Sequence, residues 1–259
     1  MTGLKGKTAI ITGASRSKGI GAAICRSLAE AGADIFFTHW SPFDEEAGNG
    51  EEPHFPESFK KELQSLGVRA AHMQADLSKE ETPKLIIDKA EEILGTPSIL
   101  INNATYEFHA DFRTLNREIL DKHYKVNNSG TILLSVEFAK RFEAAFPESK
   151  DGRIIHIVSK GPDPNNLAYI ATKGMLIGIT EPLSVALAPV GITVNAIDPG
   201  PTDSGWMNEE IKNQLLPLFP AGRLGVPDDA AKLIRFLVSS DGGWITGQTI
   251  KSEGGFIGK

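Results

Sequence analysis

In the stretch YIATK, Tyr169 and Lys173 stand four residues apart, the spacing that puts two side chains on one face of a helix. A phenol near its ordinary pKa of about 10 is a poor proton donor to a developing alkoxide at neutral pH. An ammonium about 5 Å away, at an effective dielectric of about 20, favours the tyrosinate by roughly 3 kcal/mol, or about 2 pKa units. The pair suits acid/base work on a carbonyl or an alcohol, although taken alone it is also common on helix surfaces. Ser159 closes the apolar run GRIIHIVS, at the end of a strand where a ligand would sit, and its hydroxyl is suited to holding a substrate oxygen. Asn127, in KVNNSG, falls inside a long helical pattern where two successive asparagines are awkward. Either the helix kinks there to place a side chain, or Asn127 and Asn128 are simply tolerated.

A second group of residues lies near the N-terminus, in TAIITGASRSKGIGAAIC. It reads as a buried strand, a turn and the start of a helix, with Gly13, Gly19 and Gly21 suited to a tight turn, a close backbone approach and helix packing. The helix N-terminus offers unpaired N–H groups to a pyrophosphate. Such glycines are often no more than turn chemistry, so the context decides. The next strand ends in Thr38, His39, Trp40 and Ser41, without the acid that would accept from the ribose 2′-hydroxyl of NAD. The longer turn supplies Arg16 and Lys18, so NADP(H) is the expected cofactor, with NAD(H) as the alternative. In that alternative Arg16 and Lys18 are solvated turn residues and Asp44 or Glu45 reaches the ribose. We expect Ala14 to Lys18 to bulge toward the adenosine end.

The elements that must position these residues follow from periodicity. Seven short apolar runs, TAIIT, ADIFFTH, RAAHMQA, SILINNA, GRIIHIVS, ITVNAI and GQTIKSE, alternate with segments of helical period. This predicts an α/β chain: a single-domain Rossmann fold over 1–259, its doubly wound, seven-stranded parallel sheet covered by helices on both faces. Helices are expected over Gly19–Ala31, Pro56–Leu66, Lys79–Leu94, Asn116–Phe146, Leu167–Leu187 and Asp228–Ser239. Residues 41–56, rich in Pro, Gly and acid, read as a surface loop. Residues 199–226 follow a strand's carboxyl end and read as a substrate-side lid whose Trp206, Met207, Leu215, Leu216, Leu218 and Phe219 would make it apolar.

Composition narrows the class. With 259 residues, 41% of them hydrophobic, and a net charge of −6, the chain can bury a core and lacks the basic balance of a nucleic-acid or membrane-surface protein. Cys25 is the sole cysteine, which excludes an internal disulfide and a cysteine zinc cluster. No metal site is expected. Without a signal-peptide pattern or eighteen consecutive apolar residues, the expected location is the cytoplasm.

Taken in order, TGASRSKGIG, NNA at Asn102 to Ala104, VNNSG, HIVS, YIATK and NAIDPGPTDS make the chain resemble a short-chain dehydrogenase/reductase over essentially its whole length. It is most similar to the β-ketoacyl-ACP-reductase-like branch. The resemblance implies Tyr169 as general acid/base, Lys173 as the cation that lowers its pKa and binds the nicotinamide ribose, Ser159 as carbonyl holder, and Asn127 as anchor of a water. For the cofactor it implies Gly13, Ser15, Arg16, Lys18, Gly19, Ile20 and Gly21 of the turn, and His39 after the second strand. It adds Asp76 and Leu77 at the adenine, Asn103 and Ala104 beside the ribose, and Pro199, Gly200 and Thr202 at the carboxamide, with Tyr169 and Lys173 also touching it. Four departures stand out: a glycine turn longer by two residues, Thr105 for glycine, Glu253 for aspartate, and only ten residues from Ser159 to Tyr169 where about thirteen is common.

The implied activity is NADP(H)-dependent reduction of a ketone or aldehyde, or oxidation of the alcohol, by hydride transfer, with 3-oxoacyl thioesters among the candidate substrates. The alternatives are a nucleotide-binding sensor or scaffold, and a reductase of an activated C=C or C=N bond. A homotetramer or homodimer through the long central helices is expected.

Overall fold

The structure, a computed structural model, describes residues 3–42 and 52–258. Most of the acidic 41–56 stretch, including Asp44 and Glu45, lies outside the described residues. The seven expected strands form one parallel sheet: β1 (Thr8–Ile11), β2 (Asp34–His39), β3 (Ala70–Gln74), β4 (Ile99–Asn102), β5 (Gly152–Ile157), β6 (Ile192–Asp198) and β7 (Thr249–Lys251). Their order is β3-β2-β1-β4-β5-β6-β7. The connection reverses between β1 and β4, which pair at Ala9 with Ile99 and Ile10 with Leu100. Open α/β sheets place ligands at the carboxyl ends of strands beside such a reversal.

Successive strand residues point to opposite faces, and this splits the core in two. Ile11, Phe37 and Ile155 pack with Leu28, Phe59 and Ile234 on one face. Ile10, Phe36 and Ile154 pack with Ile86, Phe138 and Phe142 on the other. The helices that cover them are α1 (Ile20–Glu30), α2 (Phe55–Ser65), α3 (Thr82–Leu94), α4 (Arg117–His123), α5 (Thr131–Ala145), α6 (Leu167–Leu187), α7 (Glu209–Leu215) and α8 (Pro227–Val238). Helix α3 starts later than its periodicity suggests because Pro83 sits in its first turn, where a missing N–H costs nothing.

The expected helix over Asn116–Phe146 is divided. Between α4 and α5, Tyr124–Gly130 forms a π-helical segment. Here Asn128 Nδ2 donates to the Thr172 carbonyl at 2.9 Å, and a Cβ on Gly130 would lie 2.3 Å from the Leu77 carbonyl oxygen. The widened turn lets the chain bring these groups against α6 and the β3–α3 turn, the kind of local device that π-bulges supply at functional sites. Sequence reading missed α7 and the short 3₁₀ turn at Leu216–Leu218 after it. They are polar, brief and interrupted by Pro217, so they lack a legible period.

Candidate active site

The glycine turn is built by close packing against the strand beyond the reversal. Gly13 has a φ of +73°, and a Cβ there would lie 2.6 Å from Ala104 Cα. A Cβ on Gly21 would lie 2.7 Å from the Gly13 carbonyl oxygen and 2.8 Å from Asn103 Nδ2. Asn103 Nδ2 donates to the Thr12 and Gly13 carbonyls at 2.9 and 3.0 Å, while the Thr12 hydroxyl accepts from the Asn103 and Ala104 N–H groups. Asn103 therefore stitches the turn together with its side chain. Gly19, with φ −72°, is the uncapped N-cap residue of α1, so the N–H groups of Ile20 and Gly21 open the helix with its positive dipole end exposed to a ligand.

The elongated part of the turn divides in two. Ser15 Oγ accepts from the Trp40 N–H at 3.1 Å, on the adenosine side. Lys18 instead lies against the lid, its Cβ 3.6 Å from where a Cβ on Gly205 would stand. It shares a cleft with Ser17, Gly19, Asp203 and Lys212. The expectation that the whole bulge leans to the adenosine end is corrected for Lys18, because glycine at 205 lets the lid backbone lie along the lysine stem. An acid not foreseen in the sequence meets the turn: the Glu52 carboxylate accepts from Ser17 N–H at 3.2 Å and from its hydroxyl at 3.1 Å.

At the end of β2, His39 is buried and its Nε2 lies 3.1 Å from His72 Nδ1, while His72 Nε2 lies 3.3 Å from Glu57 Oε2. His39 Nδ1 is buried with no partner among the described residues. Burial, reinforced by His72, lowers the His39 pKa to about 4. After β3, Asp76 Oδ1 accepts from the Ser78 N–H at 2.9 Å, which turns the chain so that Leu77 is buried beneath Gly130. At the far end of the cleft Gly200 has φ +61°, with a Cβ position 2.7 Å from Glu253 Cβ. The Thr202 hydroxyl donates to the Pro199 and Gly200 carbonyls. This Pro199–Thr202 turn leads into the 199–226 segment, in which Met207 and Phe219 are buried while Trp206 is about half exposed and donates its Nε1–H to the Thr202 carbonyl.

Helix α6 and the end of β5 bring Tyr169, Lys173 and Ser159 together. The Ser159 hydroxyl lies near enough to the Tyr169 phenol to favour its ionised form, in spite of the short linker. Burial, followed by the charges of Glu107 and Asp198, pushes the phenol pKa up, and Ser159 alone pulls it down. Lys173 Nζ is buried 5.4 Å from the Tyr169 ring centroid and donates to the Ile157 carbonyl at 2.8 Å. Its pKa is lowered to about 8 by burial, against the pull of Glu107 and Asp198. In the structure, burial and two carboxylates push the phenol upward, and the Lys173 ammonium is held by the Ile157 carbonyl.

Asn127 is fully engaged. Its Oδ1 accepts from Tyr106 N–H at 2.7 Å and Thr105 Oγ1 at 3.2 Å, and its Nδ2 donates to the Tyr106 carbonyl and Thr172 Oγ1. The departure at Thr105 therefore supplies a hydrogen bond to this residue. With the side chain spent, any water at Asn127 has to be held by its backbone. Sequence reading missed two members of this cluster. His123 is wholly buried, donates Nδ1–H to the Ile119 carbonyl and accepts from Phe108 N–H; Glu107 is bonded to Asn166 Nδ2 at 2.5 Å. No motif marks either one, and only the two-asparagine break in the helix pointed to this loop.

Beneath Lys173, His156 is wholly buried with Nδ1 3.2 Å from Asn102 Nδ2. Burial and the Lys173 charge hold its pKa near 4, below the ordinary 6.5. Between these two values the unfolded chain binds the extra proton and the native chain does not, so this contribution is full above pH 6.5 and is lost as pH falls toward 4. The loss amounts to as much as about 3 kcal/mol. The expected result is a urea midpoint that falls between pH 7 and 4.5, with a smaller fall for His156→Asn; an equal fall in the variant would assign the acid sensitivity elsewhere.

A family model described as enoyl-(acyl carrier protein) reductase matches residues 13–257. An uncharacterized oxidoreductase of Bacillus subtilis is 50% identical over 254 residues, covering 97% of each chain. A 3-oxoacyl-[acyl-carrier-protein] reductase of Rickettsia conorii is 32% identical over 99% of each chain. Among solved structures, a blue fluorescent protein from a metagenomic library in complex with NADPH superposes with a TM-score of 0.84 at 30% identity, covering 98% of this chain and 99% of that one.

Proposed function

Given that the chain belongs to the short-chain dehydrogenase/reductase family and is an oxidoreductase, we propose that it reduces a ketone or aldehyde with NADP(H), reversibly, using Tyr169 as proton donor. The observation that carries this reading is the buried Lys173 ammonium 5.4 Å from the Tyr169 ring, with the Ser159 hydroxyl near enough to the phenol to favour its ionised form. The nicotinamide cofactor, when bound, supplies or accepts the hydride. The residues suit it: Gly13 and Gly21 let the turn pack tightly on Ala104 and Asn103, α1 opens uncapped beside that turn, and the Pro199–Thr202 turn follows the carboxyl end of β6.

A carbonyl oxygen seated between the two hydroxyls accepts from both. Tyr169 keeps its proton on Oη at neutral pH, since burial and the two carboxylates disfavour the anion. It delivers that proton as negative charge develops on the oxygen, and Ser159 holds the oxygen in place. The Lys173 ammonium then stabilises the tyrosinate left behind. Reduction of a panel of ketones, quinones, enoyl thioesters and β-ketoacyl thioesters is read from the fall in NADPH absorbance. Turnover of a carbonyl member supports the reading, whereas silence across the panel with tight NADPH binding points to a sensor. Turnover of the enoyl thioester alone favours the activated C=C alternative, to which the description of the matching family model lends weight.

NADPH is supported by the missing acid at the end of β2 and by the NADPH-bound neighbour. One observation favours NADH: the Glu52 carboxylate bound to the turn at Ser17. Glu52→Gln removes the charge that a 2′-phosphate would meet and is expected to tighten NADPH several-fold more than NADH, measured as dissociation constants by nicotinamide fluorescence. Equal changes would show that Glu52 does not face the phosphate.

Leu167–Val190 is long and apolar enough to cross a membrane by length and composition, yet it carries Tyr169 and Lys173 and packs on β6. Its outer face, with Met175 and Val185, and Leu133 of α5 are exposed apolar surface. We assign this face to a homodimer or homotetramer contact. Val185→Asp is expected to lower the mass measured by sedimentation, and an unchanged mass would place the contact elsewhere.

A further inference from the structure

We propose that Glu107 is the substrate-selecting group of this site, favouring carbonyl compounds that carry a hydrogen-bond donor, an ammonium or a hydroxyl, beside the reacting carbon. The inference rests on the carbonyl-reductase reading above and adds the substrate class to it.

The loop bearing Glu107 is pinned on both sides of it. Before it, Tyr106 is bound through both its N–H and its carbonyl to Asn127, at 2.7 and 2.9 Å. After it, Phe108 N–H donates to His123 Nε2 at 3.1 Å, and Ala110 forms a bridge with Asn166. The carboxylate is fixed in turn: Asn166 Nδ2 donates to Glu107 Oε1 at 2.5 Å. Asn166 is 4% exposed and is the N-cap residue of α6, one turn before Tyr169. It belongs to the short segment between Ser159 and Tyr169, so the deletion in that wall and the carboxylate opposite it form one arrangement.

Glu107 lies within electrostatic reach of Tyr169, Lys173 and His123 together. Among the described residues no salt bridge neutralises it, and its Oε2 has no partner. It is partly exposed, so a ligand can reach it. A preorganised, uncompensated carboxylate beside a proton donor attracts N–H and O–H groups and repels carboxylates and phosphates. A site built to accept from a substrate donor also discriminates strongly against the analogue that lacks it.

The test uses the full-length enzyme, NADPH and four ketones of one carbon skeleton: unsubstituted, and carrying a hydroxyl, an ammonium or a carboxylate next to the carbonyl. In the wild type, kcat/KM is expected to be highest for the donor-bearing ketones and lowest for the carboxylate. Glu107→Gln, which keeps an acceptor but loses the charge, is expected to lower the ammonium-to-unsubstituted ratio of kcat/KM at least about tenfold and to raise the carboxylate ratio. Glu107→Leu, which loses both, lowers the hydroxyl ratio as well. Glu107→Asp, which keeps the charge, retains the wild-type order and serves if a larger change impairs folding. Loss by a common factor for all four ketones, or a wild type that prefers the carboxylate, overturns the inference while leaving carbonyl reduction intact. A wild type inert to every ketone overturns the carbonyl-reductase reading, and this inference with it.

Discussion

Tyr169→Phe is expected to lower kcat/KM for carbonyl reduction by about 10³-fold or more, within or beyond the range that a positioned general acid contributes, with NADPH affinity changed little. The variant keeps the ring that packs over Lys173 and removes only the hydroxyl. The loss should therefore fall on kcat, the signature of an interaction made in the transition state. The environment also sets a direction. Because burial, Glu107 and Asp198 push the phenol pKa up, the proton-donating form persists through neutral and mildly alkaline pH, and reduction should hold its rate there. Alcohol oxidation needs the deprotonated phenol, so its rate should climb with pH over the same range. A Tyr169→Phe enzyme with substantial turnover, or oxidation that declines as pH rises, would remove Tyr169 from its role.

The second large effect concerns the cradle. Gly13→Ala combines a left-handed backbone, φ +73°, with a Cβ 2.6 Å from Ala104 Cα, a backbone atom that cannot swing aside. The backbone conformation alone costs about 1–2 kcal/mol, and the contact brings the total to about 3 kcal/mol or more. For a chain of this size that corresponds to a fall in Tm of roughly 6–12 °C. NADPH binding should suffer with it, since the turn and the start of α1 shift together. Gly222 is the matched control: its φ is +71°, but no atom lies within 4 Å of a Cβ there. Gly222→Ala should show the backbone cost alone. Equal falls in Tm for the two variants would mean that the packing of Gly13 on Ala104 contributes nothing.

The sheet was legible in the sequence because buried parallel strands are short, branched and apolar. TAII and IFF carry side chains that alternate between two cores, and no other arrangement buries both faces. Tyr169 and Lys173 could be placed on one helix face, and Ser159 just past a strand end, because those spacings read directly from the sequence. What escaped reading depends on contacts between segments far apart in the chain. Glu107 and Asn166 are 59 residues apart, and neither stands in a run that marks it. Glu52 reaches Ser17 from an acidic stretch that reads as solvated loop. The upward shift of Tyr169 likewise depends on burial and on carboxylates from two other loops, whereas helix spacing reveals only the lysine. The double asparagine was a true signal with an open outcome: Asn127 and Asn128 both reach Thr172, and the helix widens to let them.

Hydride transfer to a carbonyl carbon, completed by a proton from Tyr169, is tested most directly with NADPH deuterated at C4 of the nicotinamide. Wild-type enzyme, the deuterated cofactor and the ketone series are incubated together, and the alcohol product is examined by mass spectrometry and NMR. Deuterium at the carbinol carbon of at least one product, and its absence with Tyr169→Phe, is the predicted result. Tight binding of NADPH with no deuterium in any alcohol, or equal transfer by the Tyr169→Phe enzyme, would contradict it.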